Sequence, residues 1–225
     1  MDVMTAALVA RSLYRFYRAG DEETLALQGV SLTVAAGEFV AVTGPSGSGK
    51  STLLACLAGM DDPDGGAVHI AGHRMSHQPE RARTRLRARL VGCLFQQDNL
   101  IAHLTVWQNI AVAQRFAGRG RTGRERRRAL LTDLGLEHRA RALPAELSGG
   151  ELTRAGLAVA VANRPAVLLA DEPTGELDGT TEARVLALLE EVTKDGTAVV
   201  VASHSPAIAA VARRVLRLDD GKVRP

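Results

Sequence analysis

The segment Phe39–Ser51, FVAVTGPSGSGKS, constrains this chain more than any other stretch. Its first five residues predict a buried strand. Gly44–Gly49 form a Gly-rich loop, and Lys50–Ala58 (KSTLLACLA) reads as a helix. Gly44 to Ser51 therefore fits GxxxxGK[ST] in the strand–loop–helix setting that gives the pattern its meaning. A polyphosphate needs several hydrogen-bond donors at short range. Backbone N–H groups supply them when no side chain intervenes, which is what Gly44, Gly47 and Gly49 permit beside Pro45, Ser46 and Ser48. The helix that follows turns its positive dipole end and free N–H groups, from Lys50 through Thr52, toward the anion. Lys50 adds a point charge for the β and γ phosphates, and the Ser51 hydroxyl suits Mg²⁺.

The rest of the chain supports an α/β reading. Ala166–Ala170 (AVLLA) and Thr197–Ala202 (TAVVVA) are continuous apolar runs of the kind buried parallel strands show, with a helix expected over Thr180–Thr193 between them. Leu90–Phe95, Val68–Ala71 and Val215–Leu218 are further strand candidates, the last closed by a turn at Asp219–Gly221. From about residue 98 to 164 strong β runs are missing, and this stretch is expected to be a mainly helical insertion. The 225 residues are thus one domain, with an α/β core from 1–97 and 165–225 and a helical part from 98–164.

Composition excludes several classes. The net charge of +3 is mild. Arginines cluster over Arg81–Arg89 and Arg119–Arg128, but no aromatics alternate with them for base stacking, so nucleic acid is not an expected partner. Both clusters are expected on solvated helical faces. Cys56 and Cys93 have no metal-ligand spacing and are expected to be free, buried thiols in a reducing compartment. No signal peptide or membrane-spanning run is visible.

Two further constellations carry chemistry. Val167-Leu-Leu-Ala-Asp171-Glu172 ends an apolar strand in two carboxylates, at the sheet edge where α/β proteins bind ligands. Asp171 there suits the Mg²⁺ shell, and Glu172 suits polarising the attacking water. Leu147-Ser-Gly-Gly-Glu151 precedes a helical stretch, Leu152–Ala162, and makes a second helix start able to face an anion. Ser148 and Glu151 also match a capping box, and both roles can hold together.

Leu147–Glu151 resembles the signature sequence LSGGQ of the ABC family, and with it the chain is similar to ABC ATP-binding subunits over nearly its whole length. The resemblance implies a P-loop NTPase fold of the ABC type: a mainly parallel core sheet flanked by helices, an N-terminal antiparallel β subdomain and an inserted helical subdomain. It implies ATP and Mg²⁺ as ligands. Gln96 matches the glutamine that senses Mg²⁺ and the attacking water. His204 matches the switch histidine at the γ-phosphate, and Glu176-Leu-Asp178 the loop that crosses the dimer seam, with Asp178 near the nucleotide. Tyr17, or failing it Tyr14, matches the aromatic that stacks on adenine. Ser148, Gly149 and Gly150 are implied to contact the nucleotide of a second molecule, in a homodimer or a pair with a related ATPase.

The branch that the chain resembles is that of lipoprotein-release and macrolide-exporter ATPases, on Ala26–Ser31, Phe95–Leu100, Leu147–Glu151 and Ala170–Gly175. Leu152-Thr-Arg154 and Glu176 depart from its usual residues. The resemblance implies a motor at the cytoplasmic face of a membrane, bound peripherally to a separate membrane-spanning permease. It leaves open a mechanical signaller acting on the cell envelope in place of an exporter. A small-molecule kinase leaves Ser148–Gly150, Glu172 and His204 without a use.

Overall fold

The computed structural model describes residues 6–19, 22–96, 99–119, 123–175, 177 and 179–224. It opens with two 14-residue strands, β1 (Ala6–Ala19) and β2 (Glu22–Ala35), followed by β3 (Phe39–Thr43) and helix α1 (Lys50–Ala58). Strands β4 (Gly65–Ile70) and β5 (His73–Arg74) lead to α2 (Glu80–Leu90) and β6 (Val91–Leu94). Helices α3 (Val106–Phe116), α4 (Gly123–Asp133) and α5 (Gly149–Val161) come next. The chain returns through β7 (Val167–Asp171), α6 (Gly179–Lys194), β8 (Ala198–Ala202), α7 (Pro206–Val211), β9 (Arg214–Asp219) and β10 (Lys222–Arg224).

The strands form two sheets. One is antiparallel, in the order β2-β1-β4-β5. The other runs β10-β9-β3-β8-β7-β6 and is parallel except for the β10 edge. Its central strands are buried on both faces, which is why they read as unbroken apolar runs rather than as alternation. Their side chains nevertheless divide by parity. Val40, Val42, Leu169 and Val200 enter one core with α1 and the antiparallel sheet. Phe39, Ala41, Leu168, Ala170, Val199 and Val201 enter a second core with residues of α3 to α7. The phosphate-loop helix and the helical segment thus grip opposite faces of one sheet.

The expected elements are found, with ends moved by at most three residues. The helix after the signature begins at Gly149 rather than Leu152, because Ser148 caps it. Two expectations are corrected. Arg127 lies on no solvated face: it is buried, its guanidinium stacks 4.4 Å from the centroid of the Trp107 ring, and it donates to Gln114 Oε1 at 2.9 and 3.1 Å. Its long stem lets an arginine close the gap between α3 and α4. Cys93 is half-buried rather than buried, since β6 is the edge strand of its sheet and has a neighbour on one side only. Both thiols are free, and burial pushes each up to about 12. Among the described residues, no helix is long and apolar enough to cross a membrane.

Candidate active site

Register brings the site together. Val42, Ala202 and Asp171 lie in one row across β3, β8 and β7, and Leu94 of β6 pairs with Ala170 beside them. Because the four strands are parallel, all end at the same edge. Gly44, Ser203 and His204, Asp171 and Glu172, and Gln96 therefore project from neighbouring strand ends, although they are spread over most of the sequence.

The phosphate loop leaves β3 and enters α1 through Gly49, which has φ +98° and provides no side-chain cap. The first N–H groups of α1 thus receive no side-chain acceptor from the capping residue, the condition under which a helix start takes an anion. Two glycines here are demanded by neighbours. A Cβ on Gly44 would come within 2.0 Å of the Leu218 carbonyl oxygen, and one on Gly49 within 2.4 Å of the Ala26 carbonyl oxygen. The loop is seated from below by the turn before β10: Gly221 N–H donates to Ser48 O at 3.0 Å, and Gln28 N–H of β2 donates to Gly221 O at 2.8 Å. Lys50 Nζ donates to the carbonyls of Gly44 and Pro45, both at 2.9 Å, so its charge lies over the loop. The Ser48 hydroxyl is buried with no hydrogen-bond partner.

Glu172 follows the last residue of β7 in the left-handed region, φ +45°. Its N–H donates to Ala202 O at 2.9 Å. Its carboxylate accepts from Ser203 Oγ at 2.8 Å on Oε2 and meets His204 Nδ1 at 2.9 Å on Oε1. A carboxylate is acceptor only, so the Nδ1 proton is the one shared. His204 itself is exposed. Gln96 is exposed and lines a cavity of about 390 Å³ with Phe95, Leu100, Gly149, Glu172 and Leu177.

At the second helix start, Ser148 and Gly149 are exposed. Ser148 and Glu151 form the capping box: Ser148 Oγ accepts from Glu151 N, while Glu151 Oε2 accepts from Ser148 N at 2.9 Å and from Ser148 Oγ at 3.0 Å. Arg139 Nε donates to Glu151 Oε1 at 2.8 Å. That guanidinium, with the Ser148 donors, holds the Glu151 carboxyl down at about 2. The negative charge that departs from LSGGQ is therefore largely spent on Arg139 and the cap.

The remaining expected residues are placed as follows. Tyr17, on β1, is exposed, stacks with the Arg15 guanidinium at 4.8 Å and donates from its hydroxyl to Asp61 at 2.9 Å. Tyr14 is also exposed, and its ring packs on Gly65 and Gly29. Pro45, Ser46 and Gly47 form the exposed crest of the loop; Ser51 is exposed and Thr52 half-buried at the start of α1. Asp171 is half-buried at the end of β7, and Gly150 sits against Thr181 of α6. Asp178 and Glu176 lie outside the described residues.

Sequence reasoning missed three contributors. Ser203 is buried and holds Glu172, a bond that no motif marks. Asn99 pins the segment after Gln96 by accepting from Phe95 N at 2.7 Å and donating to Phe95 O at 2.6 Å. Asn109, also buried, bonds Ile101 and Leu104 and shapes the following stretch. A polar residue inside an apolar helical face was the available signal for Asn109.

The family model described as ABC transporter matches residues 27–175, more than half of the chain and including both helix starts. This chain belongs to the ABC transporter family. Among curated proteins, the cassette is 41% identical over 221 residues to the macrolide export ATP-binding/permease protein MacB of Escherichia coli strain K12, and 42% identical to that of Shigella flexneri. Those alignments cover 98% of this chain and 34% of each relative, so the cassette spans about a third of the curated relatives' length. Among solved structures it matches the dimeric structure of MJ0796, a bacterial ABC transporter cassette, at TM-score 0.90 and 36% identity, over 97% of each chain. A post-hydrolysis dimer of MJ0796 bound to ADP and Pi matches at TM-score 0.89 with the same identity and coverage. The fold is that of an ABC cassette, and the protein is an ABC ATPase domain.

Proposed function

We propose that this cassette hydrolyses ATP to ADP and phosphate, with Glu172 as the general base, and that paired cassettes closing on ATP drive a membrane-spanning partner. The observation that carries the reading is the Glu172 carboxylate, held by Ser203 and His204 at the same strand edge as the phosphate loop. Two donors fix the carboxylate's direction, and it can take a proton from water as that water attacks the γ-phosphorus. The bond from the γ-phosphorus to the β–γ bridging oxygen then breaks, leaving ADP and phosphate. Base help of this kind contributes roughly 10²–10⁴ in rate. Lys50, the N–H groups of residues 44–52 and the dipole of α1 hold the phosphates. Breaking the Lys50 contacts to Gly44 and Pro45 frees its ammonium for them.

The donors available for Mg²⁺ are all oxygens: the Ser51 hydroxyl, the Asp171 carboxylate and the Gln96 amide. Among the described residues, no group of three or more His, Cys, Asp or Glu could hold a metal ion by itself. The all-oxygen donors suit an ion that would also take phosphate oxygens and water. When bound, Mg²⁺ neutralises charge on the β and γ phosphates. Tyr17 supplies the adenine platform, for which it releases Asp61.

Ser148–Gly150 are proposed to cap the γ-phosphate held by a second cassette, with Asp178 at the same seam. The dimeric MJ0796 structures and the exposure of Ser148 and Gly149 support this reading. The second cassette is a copy of this chain or a relative. The likeness to a macrolide export ATP-binding/permease protein supports coupling to a membrane-spanning permease, with the cassette at the cytoplasmic face of the membrane. The segment from Gln96 to Asn109, moving with the helical stretch 98–164, is the proposed contact. Glu172→Gln should bind ATP and dimerise yet nearly stop hydrolysing. Turnover near wild type in that variant would refute the role of Glu172. Failure of the cassette to co-purify with any co-expressed permease would remove the transport role and leave the ATPase.

A further inference from the structure

We infer that Glu182 is a positioning residue for hydrolysis, acting on the Glu172 carboxylate through Ser205 and Ser203. The inference rests on the role proposed above for Glu172. Glu182 lies in the first turn of α6 and belongs to neither anion-binding motif. Its Oε1 accepts two hydroxyl protons, from Ser205 Oγ at 2.8 Å and from Thr174 Oγ1 at 3.1 Å. The Ser205 backbone N–H donates to Ser203 Oγ at 3.0 Å, and Ser203 Oγ donates to Glu172 Oε2 at 2.8 Å.

The protons in this chain have assigned directions. Ser203 has one hydroxyl proton, and Glu172 takes it, so the Ser205 N–H must enter a Ser203 lone pair. The Ser205 hydroxyl gives its proton to Glu182 and accepts from Ala207 N–H at 3.2 Å, which caps α7. Glu182 therefore anchors residue 205 through its hydroxyl, the backbone N–H of residue 205 holds Ser203 Oγ, and Ser203 Oγ holds one oxygen of the base. On the other side Glu182 holds Thr174, two residues beyond Glu172 and buried. Glu172 is a non-glycine residue in the left-handed region, a conformation that persists only when its surroundings over-determine it. Glu182 ties both segments that flank it, 172–174 and 203–205, to one carboxylate oxygen.

A plain structural role for Glu182 would change stability without changing how the base is aimed. The test is steady-state ATP hydrolysis by the full chain as wild type, E182A, E182Q, T174V, S203A and E172Q, with ATP affinity measured separately. The glutamine amide oxygen can accept both bonds, so E182Q should keep kcat within about twofold. E182A and S203A should each lower kcat about tenfold or more, the scale expected of a misplaced catalytic group, with KM for ATP within about twofold. Combining E182A with S203A should cost little beyond either alone, since both cut one path. T174V, nearly isosteric, should give a smaller kcat loss and serves if E182A does not fold. The inference is overturned if E182A retains wild-type kcat, if E182Q falls as far as E182A, or if only KM moves. An inactive E172Q with fully active E182A sinks this inference alone, whereas an active E172Q sinks the reading beneath it.

Discussion

Replacing Gly49 with alanine tests whether the phosphate loop is held in shape by backbone contacts or is merely a pliable turn. Gly49 has φ +98°, and a residue with a Cβ in left-handed conformation costs roughly 1–2 kcal/mol. The new methyl group would also stand 2.4 Å from the Ala26 carbonyl oxygen and 3.4 Å from Leu27 Cδ2. The first contact is with backbone in the middle of β2 and cannot turn aside, so an overpacking cost of about 1–3 kcal/mol adds to the strain. The sum is roughly 2–5 kcal/mol, a large share of the roughly 5–15 kcal/mol that holds a typical domain together. Gly47 is the control. Its φ is +77°, but a Cβ there meets nothing within 4 Å, leaving only the roughly 1–2 kcal/mol of strain. With a urea slope of about 2 kcal/mol/M, G49A should lower the unfolding midpoint by about 1–2.5 M and G47A by under about 1 M. Equal midpoints for the two variants, or a G49A midpoint at the wild-type value, would refute the reasoning.

Glu151 makes stability depend on acid. Its folded value, about 2, lies below the ordinary 4.5 because Arg139 and Ser148 donate to it. Its contribution is therefore complete above about 4.5 and vanishes as pH falls through about 2, so the advantage of wild type over E151Q in thermal melts should shrink across that window. Arg127→Ala should destabilise by about 2–4 kcal/mol in urea, because it removes the stack on Trp107 and leaves a buried Gln114 oxygen unpaired. Cys56, buried and pushed up to about 12, should react with thiol reagents at neutral pH only as fast as the protein opens.

Much of the fold was legible because continuous apolar runs mark buried parallel strands. Lys50–Ala58 was read residue for residue, and β7 and β8 to within one. Strands β1 and β2 were not, although each is 14 residues long. Bulges shift their register between Ala10 and Leu13 and again near Tyr14 and Arg15, and Ser12 takes φ +47°. Period-two alternation is lost at each shift. The site divides in the same way. That Lys50, Asp171 and Glu172 would stand at a helix start and a strand end was readable from the apolar runs beside them, whereas His204 was picked out by the family resemblance. Ser203, Glu182 and the burial of Arg127 were not legible, because each depends on a neighbour remote in sequence.

Gly221 is hydrogen-bonded through both of its peptide groups, upward to Ser48 and sideways to Gln28. The hairpin of β9 and β10 therefore braces the loop at Ser48, although none of its side chains belongs to a recognised motif. Pulling on that brace, by a nick in the turn or by a binder that peels β10 from its edge, should loosen the grip on nucleotide while the helices stay folded. The shape of that loop thus depends on a segment about 170 residues away in sequence, at the far end of the described chain.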